Sequence, residues 1–180
     1  MSWPEGAWQR ISVTVDGAAP TEVSDVWWLV AGGVFADLRV LRSPGPTTLP
    51  YSSTQAFAGT CTLDPGTWEM RWHHLVDTEE RAPDIVGRIE PDRRDARLMH
   101  ETGDDFTELW ARIDPEGTST GSWVEDDLVA VRVGNIAIVV TDDGGARYVR
   151  CADTWIATDV VGTEPALDGD RRRALRSWWD

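Results

Sequence analysis

A chain of 180 residues with 41% hydrophobic and 27% charged residues fits one globular domain with a core of its own. No window approaches the roughly 18 apolar residues of a membrane-spanning helix. The formal charge of −14 opposes phosphate backbones and anionic lipid, so neither nucleic acid nor membrane is an expected partner.

All 17 basic residues are arginine, which excludes Schiff-base chemistry on lysine and phosphate binding by a GK[ST] loop. The first residues, Met1-Ser2-Trp3-Pro4-Glu5, lack the basic and apolar regions of a signal peptide. Cys61 and Cys151 are the only cysteines; free thiols in a reducing cytosol are the simpler reading, with one disulfide as the alternative. The cytoplasm is therefore the expected location.

Short runs rich in Val, Ile, Thr and Trp alternate with turn clusters, the pattern of an all-β protein. Predicted strands run over Trp8–Val15, Asp25–Ala31, Val34–Leu41, Gln55–Leu63, Thr67–Val76 and Ile85–Glu90. They continue over Ala96–Glu101, Phe106–Ile113, Ser119–Arg132, Asn135–Thr141, Ala146–Ala152 and Trp155–Val161. Asp16-Gly17, Gly32-Gly33, Asp64-Pro65-Gly66, Asp92-Arg93-Arg94-Asp95, Gly103-Asp104, Gly134-Asn135 and Asp142-Asp143-Gly144-Gly145 punctuate them, several as hairpin-type turns. Such short connections predict an antiparallel meander of about ten strands, closed into a lipocalin-like β-barrel with a central cavity over residues 1–165.

Arg42–Ser53 is too rich in proline for a strand and long enough to cover one mouth; Asp77–Asp84 is a second, acidic loop. At the C-terminus Asp170 caps a predicted helix from Arg171. There Ala174 and Trp178, and Leu175 and Trp179, stack at i, i+4. Residues 166–180 thus form a short amphipathic helix expected to pack on the barrel.

Period-2 alternation sorts pocket from surface. Trp68, Met70, Trp72, His74 and Val76 share an apolar face, while His73 points away with Glu69 and Arg71. In Ala96–Glu101, His100 lies with Ala96 and Leu98 and is expected to point inward. Phe106, Glu108 and Trp110 alternate with Thr107 and Leu109, so a carboxylate lies between two aromatic rings. Phe35, Asp37, Arg39 and Leu41 share a face, making Asp37 and Arg39 an ion pair inside or at the rim. Eleven tryptophans suit both a barrel core and a ligand surface.

The predicted catalytic set is His74, Glu108, Asp37 and Arg39. The predicted ligand-binding set is Trp68, Met70, Trp72, Phe106, Trp110, His100 and Phe35. Each has a blander reading: a satisfied core histidine, a structural ion pair, packed aromatics. No GxSxG, GxGxxG, HExxH or CxxC is present, and no metal or cofactor is expected. A zinc or iron site from His74, His100 and Glu108 is the weaker alternative.

The strings Phe57-Ala58-Gly59-Thr60, Glu101-Thr102-Gly103, Phe106-Thr107-Glu108-Leu109-Trp110 and Asp114-Pro115 resemble a fungal family of casein-kinase-interacting proteins with two lipocalin-like barrels, together with related bacterial proteins. Trp28-Leu29, Phe35-Ala36-Asp37-Leu38-Arg39 and Trp155-Ile156 extend the likeness. It implies a lipocalin-like fold, departs from the family in being one barrel long, and implies no activity.

Two functions fit the pocket. One is a cofactor-free isomerase, cyclase or lyase acting on an aromatic or hydrophobic molecule. In it His74 is the base, Glu108 or Asp37 the acid and Arg39 the anion-stabilising donor. The other is a non-catalytic carrier of such a molecule. A protein-interaction domain is a third expectation.

Overall fold

The computed structural model describes residues 3–42, 54–79, 84–117 and 119–166. Every regular element among them is a strand, and none is a helix. The first eight are β1 (Gly6–Val15), β2 (Ser24–Ala31), β3 (Val34–Leu41), β4 (Gln55–Asp64), β5 (Glu69–Asp77), β6 (Ile85–Pro91), β7 (Leu98–Thr102) and β8 (Phe106–Ile113). They pair in chain order, and β1 returns to pair with β8, closing an antiparallel barrel. The expected ten-stranded barrel over residues 1–165 is thus corrected: closure is complete at Ile113.

The remaining strands form a second sheet: β9 (Thr120–Glu125), β10 (Leu128–Val133), β11 (Ile136–Thr141), β12 (Gly144–Cys151) and β13 (Thr154–Gly162). The single run expected over Ser119–Arg132 is two strands, because Asp126-Asp127 forms a turn. The expected C-terminal helix and most of the Arg42–Ser53 loop lie outside the described residues.

The two layers meet through complementary sizes. Ala7, Ala31, Ala36, Ala56 and Ala58 on the barrel exterior receive Val129, Val131, Val133, Ile136, Ile138 and Val140 from the sheet. Each fully buried Val or Ile contributes about 1.5–3 kcal/mol here. At Gly145 a Cβ would lie 2.4 Å from the Ala56 methyl, so β12 reaches β4 only with glycine there. Strand β3 is consequently covered on both sides: Ala36 and Leu38 face the sheet, Phe35 the barrel interior.

Inside the barrel, Trp8, Trp28, Trp72, Trp110, Phe35, Phe57, Met70, Ile89 and Met99 form a second core. Tryptophan therefore fills the interior, as expected, with Trp28 set 6.5 Å from Trp72 and 6.1 Å from Trp110 between ring centroids.

One irregularity aims the site. Between Ala58 and Gly59 the β4–β5 register shifts, leaving Leu75 as an extra residue. Gly59 permits this, since a Cβ there would stand 1.9 Å from the His73 carbonyl oxygen. Beyond the bulge the faces exchange. Val76, expected beside His74, packs instead against the second sheet, and Asp77 turns inward. The bulge falls after His74, so His73 and His74 keep opposite faces: His73 is exposed and His74 buried.

Candidate functional site

One end of the barrel holds a cavity of about 370 Å³. Its aromatic wall is Trp28, Phe57, Trp72, Phe106 and Trp110, and its ionisable lining is Asp37, Arg39, His74, Asp77, Glu79, Glu101 and Glu108. All four residues expected to be catalytic, and Trp72, Phe106 and Trp110 of the expected ligand set, border this space.

His74 is held from three sides. Phe57 stacks on it at 4.7 Å and 14°, and Phe35 lies 5.7 Å away at a tilt. Its Nδ1 is 3.2 Å from Asp77 Oδ2, while Asp77 Oδ1 accepts the Glu79 backbone N–H at 3.0 Å. A carboxylate at Nδ1 places the ring proton there and leaves Nε2 as an acceptor. Nε2 is buried and has no hydrogen-bond partner among the described residues.

Glu108 is 1% exposed. Its Oε1 accepts from Arg10 at 2.5 Å, and Arg10 also donates through Nε to Glu22 at 2.7 Å. Oε2 of Glu108 and Nε1 of Trp110 are buried without a partner among the described residues. Buried polar atoms are seldom left unpaired, and these border a cavity large enough for a ligand.

Asp37 and Arg39 form the expected pair at 2.9 and 3.3 Å, with the guanidinium 5.0 Å above the Phe57 ring. Burial alone would lower the pKa of Arg39, but Asp37, Glu108 and Glu101 outweigh it and raise it, so the group stays charged.

Glu101 is the residue that sequence reasoning missed. In the β7–β8 hairpin Met99 faces Trp110, and Glu101 faces Glu108. Directly opposed residues share a face, so the inward Glu108 and Trp110 bring Glu101 and Met99 inward with them. The signal was available: the two strands flank Gly103-Asp104-Asp105, and counting back from Glu108 reaches Glu101. Burial, then the neighbouring Glu108 charge, push the Glu101 carboxyl up to about 8, even though Arg39 and Arg10 oppose the shift.

The same register corrects His100. It lies on the barrel exterior, its Nε2 2.9 Å from Asp92 Oδ2, and the His side chain is 42% exposed. Its hydrogen bond holds the Asp92 carboxyl near 2, ahead of bonds from the Arg94 and Asp95 backbone. His74, His100 and Glu108 therefore do not converge, and no group of three metal-ligating side chains occurs among the described residues.

Trp68 is also displaced. It sits in the β4–β5 turn at φ 63°, not on the strand, and packs edge-on against Trp3 at 5.2 Å. Six residues of strand, about 20 Å, separate it from His74. Met70 and Phe35 are buried in the interior core without bordering the cavity; Phe35 backs His74 and Phe57. Cys61 and Cys151 are both free, and burial, with a contribution from Glu5, pushes the Cys61 thiol up to about 12. No helix among the described residues is long and apolar enough to cross a membrane.

Fold and site together define a closed antiparallel barrel with an acidic, aromatic-walled cavity, backed by a second sheet. No family model and no curated protein matches the sequence. Among solved structures, the chain is similar to an uncharacterised protein of Saccharomyces cerevisiae at 15% identity, covering 87% of this chain and 85% of that one, with a TM-score of 0.64. That share is too large for the barrel alone, so the likeness includes strands of the second sheet. An uncharacterised protein of Bacteroides eggerthii is similar at 13% identity, over 62% of this chain and 100% of that one, with a TM-score of 0.45. At 15% identity the likeness to the yeast protein is one of fold alone.

Proposed function

We propose that this protein takes a small molecule with an aromatic or hydrophobic body into the barrel cavity and acts on it as a cofactor-independent isomerase, cyclase or lyase. The carrying observation is the His74–Asp77 pair, whose buried Nε2 lacks a partner among the described residues, on a cavity also lined by Glu101, whose carboxyl is pushed up to about 8 by burial and then by the Glu108 charge. His74 Nε2 removes a proton from the substrate, and Asp77 steadies the imidazolium that forms. Glu101, in its neutral form, returns a proton or donates a hydrogen bond at a second position. Glu108 and Asp37 are the other acid candidates, and Arg39 offers an N–H beyond the two contacts it gives Asp37. A proton removed and a proton returned balance without a redox partner.

The lipocalin-like relationship to the fungal two-barrel family is part of the same proposal, supported by the quoted strings and the fold. A carrier is the second reading, favoured by the internal neutralisation of Arg39 by Asp37 and Arg10 by Glu22 and Glu108. Native mass spectrometry of freshly purified protein identifies any retained molecule, which is then offered back in excess. Conversion that drops about a hundredfold in His74→Gln, with His73→Gln unaffected, supports the enzyme. A molecule returned unchanged, or a His74→Gln variant that loses only melting temperature, leaves the carrier.

A further inference from the structure

We infer that the occupant of this cavity carries a positive charge, an ammonium or guanidinium group on an aromatic or apolar body. The inference rests on the reading that the cavity holds a small molecule, and specifies its class.

Among the described residues the lining sets five carboxyl groups, Asp37, Asp77, Glu79, Glu101 and Glu108, against one guanidinium and one imidazole. Each cation already faces a carboxylate. Arg39 gives two contacts to Asp37, and Arg10, its side chain fully buried behind the lining, is shared between Glu108 and Glu22. His74 is turned through Nδ1 to Asp77. An anionic ligand would therefore meet surplus negative charge.

Hydrogen-bonding capacity points the same way. Among the described residues the buried lining atoms without a partner include two acceptors, His74 Nε2 and Glu108 Oε2, against one donor, Trp110 Nε1. A donor-rich cationic head satisfies the acceptors, and one of them belongs to a carboxylate that is 1% exposed. Aromatic faces complete the environment, since a desolvated cation is attracted to the ring quadrupole. Arg39 already rests a cation on this wall, 5.0 Å from the Phe57 centroid.

Glu101 supplies a signature. Glu108 lies directly opposite it on the adjacent β8, and around the cavity stand Arg10 from β1, Glu22 behind Arg10, Asp37 and Arg39 from β3, His74 and Asp77 from β5, and Glu79 beyond it. Burial and then the Glu108 charge favour the protonated form of Glu101, whereas a bound cation favours the ionised one, so cation binding tightens as pH rises; below that rise Glu101 keeps the proton that the acid step uses.

The test uses three probes sharing one ring: 2-phenylethylammonium, 2-phenylethanol and phenylacetate. Isothermal titration and tryptophan fluorescence in about 0.3 M NaCl screen the general attraction of an acidic surface. The expected order is cation, alcohol, acid, with about tenfold or more between the first and second. Cation affinity rises from pH 6 to 8.5, and Glu101→Gln abolishes the rise. Glu108→Gln lowers cation affinity about tenfold and leaves the alcohol nearly unchanged; should it fail to fold, Glu101→Gln alone carries the pH arm. Saturable binding of alcohol and cation with equal affinity, or tightest binding of phenylacetate, overturns the charge inference and leaves the pocket standing. No binding by any probe up to about 10 mM sinks the pocket reading, and the charge inference with it.

Discussion

Glu101→Gln should stabilise this protein, by an amount that grows with pH. The folded chain holds the Glu101 proton up to about 8, whereas the unfolded chain releases it near 4.5. Between those values the folded state binds the extra proton, so raising the pH favours unfolding, and above the upper value the full cost is present. At about 1.4 kcal/mol per pH unit, the interval from 4.5 to about 8 gives an upper bound of about 5 kcal/mol. Glu101 is only half-buried, and solvent at the cavity screens the penalty to about 2 kcal/mol. Glutamine copies the shape of the neutral acid and never ionises. Thermal melts of both proteins should therefore coincide near pH 4.5 and separate steadily to pH 9. For a chain of this size, about 2–4 °C per kcal/mol makes the final gap about 4–8 °C. Groups remote from the β7–β8 hairpin titrate alike in both proteins, so the difference reads Glu101 together with the Glu108 it faces. Parallel curves, or a variant less stable at pH 9, would refute the electrostatic account of the β7–β8 hairpin.

Gly59→Ala should cost about 3 kcal/mol or more, because the new methyl meets a backbone carbonyl that cannot move without undoing the bulge; urea melts read the loss. Arg10→Met leaves Glu22 and Glu108 without their shared countercharge and should cost about 3–5 kcal/mol, read by urea melts. Trp72→Phe should change the fluorescence response to a cavity ligand, while Trp68→Phe leaves it intact; the reverse would put the ligand at the other end of the barrel.

Much of the site was legible because alternation is a local property. Phe106, Glu108 and Trp110 sit on one face for no other reason than spacing, and the same holds for Trp72 with His74 and for Asp37 with Arg39. Three things were not local. The Leu75 bulge reverses Val76 and Asp77, and its only trace in the sequence is Gly59 on the neighbouring strand. The inward identity of Glu101 depends on its partner across a hairpin, and the outward apolar Leu98 had suggested the opposite face. Strand number in the barrel depends on where β1 finds a partner, which no hairpin specifies. β3 shows why strand faces mislead: with apolar residues on both sides, its sequence carries no mark of which side is interior.

The seam between β1 and β8 sets an order of assembly. Arg10 and Glu108, 98 positions apart in the chain, must meet for the ring to shut. Loop-closure entropy opposes that meeting until the intervening hairpins have shortened the path. During synthesis β1 therefore emerges as an unpaired edge on one side, waiting for the strand that ends at Ile113. The second sheet is made of local hairpins, yet its Val and Ile face has nothing to cover until the alanine-lined wall exists. A ribosome making this protein from its N-terminus delivers the two layers in the order that shields the sheet's sticky side from ever standing alone. Moving residues 119–166 to the front by circular permutation would expose that face first, and the cost would appear in refolding yield before it appeared in stability.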